Sequence, residues 1–355
     1  MKLISKILFS LYITCFLVGV ADAQVTHLNE GRVPVADQSL SSQKSAGKRA
    51  FLQAVVKMSG TKRSADNLVI RRAATNFEQY LISSSYEQEG QSLFYLAEFN
   101  QSAIVDLLRA ELLPVWGARR PTSIMWLAVE DDATKQKALL TQTIDNALID
   151  GIRDASYQRG IELIVPIGDL NDSMNVSTND VWNLYSSTIY NQSLRYGTNY
   201  VIGAKVGVGF DDVSATEQVI LSYFVTNGKT LRTGEVVGKD TLSTIIEFIS
   251  LYADQMAQAY AVDINADMAL QDIIIKVSNV TSLKQYHSVL DILKSLTVTD
   301  SVELSSQERD ISIFRIKSRV DADQVNAILS LESRLIKAEN ANDISGTISY
   351  RVRGK

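Results

Sequence analysis

The sequence predicts several folded modules of mixed α+β and α/β character. Three observations carry this. Strand-like apolar runs alternate with helix-periodic stretches along the whole chain. Charge is uneven: residues 121–267 hold nine Lys and Arg against nineteen Asp and Glu, whereas 24–120 hold twelve against nine. Asn227-Gly228 between two apolar runs is a strong short-range hairpin signal. The divisions expected are a leader at 1–23 and domains at 24–120, 121–267 and 268–355.

The leader reads as an export signal. Lys2 and Lys6 precede the apolar run Ile7 to Val20, and Ala21-Asp22-Ala23 forms a small-x-small cleavage site, with Ala23 and Gln24 flanking the cut. The apolar run is short for a membrane span, which takes roughly 20 residues. The single cysteine, Cys15, lies inside this run. Thr14 and Tyr12 before it do not fit a lipoprotein signal. The processed chain then has no cysteine, which excludes thiol nucleophiles and thiolate metal sites. No later segment is a spanning candidate, because Leu242 to Val262 is broken by Glu247 and Asp254.

In the first domain, Val25 to Val35 reads as extended, with Pro34 marking an edge strand. Ser39 to Met58 reads as a helix on Ala46, Ala50, Phe51, Ala54 and Val55, stopped by Gly60. A second helix is expected over 64–83, a strand over Leu93 to Phe99, and a helix from Gln101 that ends before Pro114. Lys48-Arg49, Lys62-Arg63, Arg71-Arg72 and Arg119-Arg120 read as solvated helix faces. Ser45-Ala46-Gly47-Lys48 is a Ser-x-x-Lys, but the Ser-Asp-Asn and Lys-Thr-Gly elements that this chemistry needs are missing.

In the middle domain, Ser123 to Val129 is almost wholly apolar, as befits a strand covered on both faces. A long helix is expected over 134–159, capped by Gly160, then a strand over Ile161 to Val165 and a helix over 179–196. Strands at 200–208, 217–226 and 230–237 and a helix from Leu242 to Tyr260 complete a β-α-β-α-β-β-β-α order. Glu130, Asp131 and Asp132, with Asp169 and Asp172, follow strand ends, where α/β proteins place ligands. Their two readings are a divalent-cation or small-ligand site and ordinary helix capping. Gly207-Val208-Gly209 lacks the third glycine of a dinucleotide loop, and Gly228-Lys229-Thr230 lacks the first glycine of a phosphate loop. No cofactor is therefore expected.

In the last domain, strands over 272–277, 297–304, 311–317 and 344–352 and helices over 282–296 and 321–335 give the split β-α-β-β-α-β order of a ferredoxin-like unit. The basic aromatic strand signature of RNA readers is missing there, and the acidic middle domain argues against nucleic acid. His287 stands four residues before Asp291 on one helix, a surface histidine by spacing. It and His27 are the two histidines of the chain.

Three resemblances follow. Leu194-Arg195-Tyr196-Gly197-Thr198-Asn199-Tyr200-Val201-Ile202-Gly203, with Gly234-Glu235-Val236-Val237 after a meander, is similar to the N-terminal domain of TolB and the core of CsgG. That likeness implies contacts between envelope proteins rather than catalysis. Over nearly the whole processed chain, the stretches Arg32 to Gly60, Ala118 to Val129 and Arg159 to Pro166 resemble the envelope family known as domain of unknown function 2066. The domain plan also resembles the flagellar H-ring proteins, an analogy of fold alone. Together these imply a periplasmic, non-enzymatic protein whose partner is another envelope protein. The alternative expectation is a periplasmic binder of a small ligand or divalent metal.

Overall fold

The computed structural model describes residues 27–131, 133–143, 147–211, 216–263, 269–338 and 347–354. The leader, with Ala23 and Gln24, lies outside the described residues, as does Asp132. The chain is a mixed α/β, multidomain protein built on three sheets. No helix among the described residues is long and apolar enough to cross a membrane.

The first sheet is antiparallel, with β1 (Glu30–Val35), β2 (Leu81–Glu89) and β3 (Ser92–Phe99) in the order β1-β3-β2. Pro34 stands on an edge strand, where its missing N–H leaves no ladder bond unmade. Helix α1 (Leu40–Ser59) covers one face. The Ser39 hydroxyl accepts from the Ser42 N–H at its start, and Gly60, at φ +78°, ends it in the left-handed region. Ala46, Ala50, Phe51, Ala54 and Val55 are fully buried along the stripe that the spacing picks out.

The expected helix over 64–83 is broken. A 3-10 turn (Lys62–Asp66), α2 (Leu68–Thr75) and a second turn (Phe77–Gln79) precede β2. The Asn67 side chain accepts from the Val69 and Ile70 N–H groups and restarts the helix. β2 escapes pattern reading because Ser83, Ser84 and Ser85 face solvent on an edge. Helix α3 (Gln101–Ala110) follows β3, with Asn100 as its cap.

The middle sheet comprises β4 (Thr122–Glu130), β5 (Lys137–Leu140), β6 (Glu162–Ile164), β7 (Tyr200–Asp211), β8 (Thr216–Thr226) and β9 (Leu231–Gly238). Its order is β5-β4-β7-β8-β9, and β6 pairs in parallel with the start of β4. Met125 and Leu127 of β4 face one core with α4 (Ala147–Arg159) and α8 (Thr241–Tyr260). Ile124, Trp126 and Ala128 face the other, beneath α6 (Thr178–Trp182) and α7 (Ser186–Ser193). Both faces are covered, which is why the β4 sequence is continuously apolar. The long helix expected over 134–159 is instead a hairpin strand followed by the shorter α4. Asp131 accepts from the Ala133 and Thr134 N–H groups and turns the chain back, so β5 pairs antiparallel with β4. The helix expected over 179–196 is likewise divided, at Leu184 with φ +54°. A short α5 (Leu170–Asn175) precedes it.

The last sheet comprises β10 (Gln271–Ser278), β11 (Thr299–Glu308), β12 (Ile311–Ser318), β13 (Leu335–Lys337) and β14 (Thr347–Val352), with α9 (Leu283–Lys294) and α10 (Ala322–Leu329). Its order is β11-β12-β10-β14-β13. The first three strands follow the split unit. The edge differs: α10 stops well before 335, β13 is an added strand, and β14 runs parallel to β10. Adding one antiparallel strand before the last one reverses the direction of the last.

Gly47 lies on the buried face of α1 with the Phe77 ring where a side chain would stand. Gly47→Ala overpacks this contact, and about 1–3 kcal/mol of stability should be lost despite the better helix propensity. Urea unfolding at constant m-value measures it.

Candidate functional site: a three-way junction and its cavity

The acidic residues singled out in the sequence do not converge on one centre. Asp131 is spent on the β4–β5 turn. The Thr134 backbone N–H, first among its donors, holds its carboxyl below the usual range. Glu130 lies 4.0 Å from Lys135 Nζ. Asp169 caps α5 and, with Asp172, binds Arg195: Arg195 Nη2 stands 2.6 Å from Asp169, and Nη1 stands 3.0 Å from Asp172. Asp172 is buried and also accepts from the Gly168 N–H and the Tyr196 hydroxyl. The Arg195 guanidinium holds the Asp169 carboxyl well below its ordinary value. A guanidinium thus occupies the place that a cation between these two carboxylates would take. Among the described residues no group of three or more His, Cys, Asp or Glu is placed to hold a metal ion.

The other motifs also resolve into structure. Gly207 and Gly209 sit inside β7, paired with β8. The Asn227 side chain accepts from the Lys229 and Thr230 N–H groups in the hairpin loop. Ser45, Lys48 and His287 are exposed.

What the fold does bring together is the segment Val115 to Arg120, which touches all three modules. Val115 and Val262 exchange backbone hydrogen bonds. The Trp116 N–H donates to the Met58 carbonyl at 2.7 Å. Arg119 reaches Glu332, whose side chain is fully buried and also takes hydrogen bonds from Arg334. Burial alone would raise the Glu332 carboxyl, but Arg334 and Arg119 bring it below its ordinary value.

Arg120 is fully buried. Its five N–H groups make five hydrogen bonds, all to backbone carbonyls. Nη2 donates to Lys57 at 2.6 Å and Trp116 at 2.9 Å, Nη1 to Gly160 at 2.7 Å and Arg159 at 3.5 Å, and Nε to Gly117 at 3.0 Å. The C-termini of α1 and α4 converge here. Their last carbonyls have no partner within their own helices and carry the negative ends of two dipoles. One guanidinium satisfies both. Burial pushes it down to about 9, with the neighbouring Arg159 adding to the effect. Arg159 in turn donates to the Gly60 carbonyl, to Ser250 and to Asp254, the last at 2.6 Å. Arg119 and Arg120 are therefore not a solvated helix face. Most of their acceptors, Lys57, Arg159, Gly160 and Glu332, lie far away in sequence.

A cavity of about 510 Å3 opens beside this junction, between the first module and α4 and β6 of the second. Lys57 lines it and is almost wholly buried. Its Nζ donates to the carbonyls of Glu30 at 3.0 Å and His27 at 3.3 Å, and lies 3.3 Å from the Tyr157 ring centre. Burial pushes the Lys57 ammonium down to about 7 and the Tyr157 phenol up to about 12.

Two outcomes follow. Arg120→Lys keeps the charge but cannot reach five carbonyls, so it should cost about 3 kcal/mol or more and split the thermal transition as the modules uncouple. Calorimetry reads both. For Lys57, the unfolded chain binds more protons than the folded one between about pH 7 and 10.5. Wild type should therefore gain stability over Lys57→Met as pH rises through that window, by at most about 1.4 kcal/mol per pH unit. Paired denaturant curves at several pH values check the slope.

Residues 23–117 match the family model described as Domain of unknown function (DUF8605). This is an uncharacterised family other than domain of unknown function 2066, and neither that family nor a likeness of the middle segment to TolB or CsgG is found. No curated protein matches the chain.

Proposed function

We propose that the chain is a non-enzymatic protein of the periplasm, exported by cleavage between Ala23 and Gln24, that serves as an interaction or assembly scaffold for another envelope protein. The carrying observation is an apolar projection on a braced support. Leu170 and Met174, four residues apart on one side of α5, are each 76% exposed, and Leu194 is 60% exposed. Ile167, also exposed, donates its N–H to the Tyr196 hydroxyl. Arg195 ties the 3-10 turn that carries Leu194 to Asp169 and Asp172. Apolar side chains held outward by an ion-pair brace favour contact with a protein surface.

Two further features support this reading. The buried cations Lys57, Arg120 and Arg159 each reach across from one module to another: Arg120 to the Lys57 carbonyl, Arg159 to the Gly60 carbonyl, and Lys57 to the Tyr157 ring. The segment that bears Leu194 lies in the stretch likened to the TolB and CsgG domains, and that likeness implies a domain that mediates envelope contacts.

A photocrosslinking residue placed at Leu170 in intact cells should capture a discrete partner. Leu170→Ser with Met174→Ser should weaken co-purification of that partner at least tenfold with little change in melting temperature. Absence of any stoichiometric adduct from cells in several growth conditions would count decisively against the scaffold.

A further inference from the structure

We propose that the cavity beside the junction binds a small amphipathic anion, an alkyl carboxylate or alkyl phosphate, with its head group toward Lys57 and its chain along Leu28, Ile149, Ile152 and Leu163. The inference is independent of whether the apolar projection docks a partner.

The volume comes first. About 510 Å3 lies within the range of sites that enclose small molecules, and the cavity lies where two modules meet, a common place for such sites. The walls come next. Ile149 and Ile152 stand on α4, Leu163 on β6, and Leu28 comes from the first module. Together they give the cavity an apolar side fit for a hydrocarbon chain.

Charge decides the head group. Lys57 and Arg120 donate only to backbone carbonyls, not to carboxylates. The carbonyls satisfy their hydrogens but supply only partial negative charge. Arg159 adds a third buried cation, and Asp254 is its one carboxylate partner among the described residues. A buried excess of positive charge favours an anion at the adjoining surface. Gly160, whose carbonyl accepts from Arg120, lines the cavity, so the field reaches it. The Tyr157 phenol, neutral at ordinary pH, offers a donor beside Lys57.

The groups that face Lys57 are Glu30 on β1, Tyr157 on α4 and Arg120 on the connecting segment. The Glu30 carboxylate is itself bound to His27. At the cavity wall, His27 and Arg153 stand with Glu162, the one acid of the lining among the described residues, whose carboxyl burial pushes upward. An anion at Lys57 would favour the protonated ammonium, so uptake should bring a proton with it near neutrality.

Titration calorimetry on the full processed chain tests this with decanoate, decyl phosphate, 1-decanol and acetate, all below their aggregation limits. At least one of the two charged amphiphiles should bind, with 1-decanol and acetate at least tenfold weaker. The ratio of decanoate to decyl phosphate affinity distinguishes the two head groups. Lys57→Met should lower decanoate affinity tenfold or more while leaving 1-decanol unchanged. Leu163→Trp, which fills the cavity, should lower both. If Lys57→Met does not fold, wild-type affinity for decanoate should still fall severalfold between about pH 6 and pH 9, where the probe stays ionised and Lys57 loses its proton. No binding of either anion, equal binding of 1-decanol, unchanged binding by Leu163→Trp, or a flat pH profile would each overturn the proposal.

Discussion

The architecture depends on one buried guanidinium. Two helices, α1 and α4, end against each other, and each presents unpaired carbonyls and the negative pole of its dipole. Without a cation this meeting would be both unsatisfied and repulsive. Arg120 supplies the charge and the donors to the Lys57, Arg159 and Gly160 carbonyls, from a segment that also carries Trp116 onto Met58 and Arg119 onto Glu332. A lysine could neutralise the poles but could not divide itself among five acceptors. The modules are thus fixed through main-chain groups at their most crowded point.

That crowding explains neighbouring choices. Gly60 must turn left-handed to end α1, and any side chain there would meet Ala257 and Trp116. Its carbonyl, released from the helix, is taken by Arg159. The C-terminal turn of α1 is therefore fully accounted for at 56, 57, 58 and 60: Val56 by the Gly60 N–H, Lys57 by Arg120, Met58 by Trp116 and Gly60 by Arg159. Lys57 is drawn inward on the same turn and becomes the charged wall of the cavity.

Local chemistry was legible in the sequence where one segment contains both partners. Ser39, Asp240, Ser282 and Asp321 cap their helices through N–H groups three residues on, and the apolar run of β4 announces two covered faces. The strands that escaped, β2, β5 and β13, are edges, either polar or only three or four residues long, with half the periodic signal of a buried strand. Helices drawn too long, over 64–83 and 134–159, failed where Asn67 and Asp131 bind the backbone just ahead of them. Of the acidic residues at strand ends, Asp169 caps α5 and Asp131 holds the β4–β5 turn. The junction escapes local pattern because its donors at 119, 120 and 159 meet acceptors of other modules 39 to 213 residues away.

The acceptors at Arg120 are peptide oxygens, which do not titrate at any pH a cell encounters. The arginine pairs with Glu332 and Asp169 rest on carboxylates that acid can neutralise. Acidification therefore works from the periphery inward: the seat of the third module and the α5 support loosen first, while the clasp between the first two modules keeps its grip. The molecule carries an order of disassembly in the choice between side-chain and main-chain oxygen.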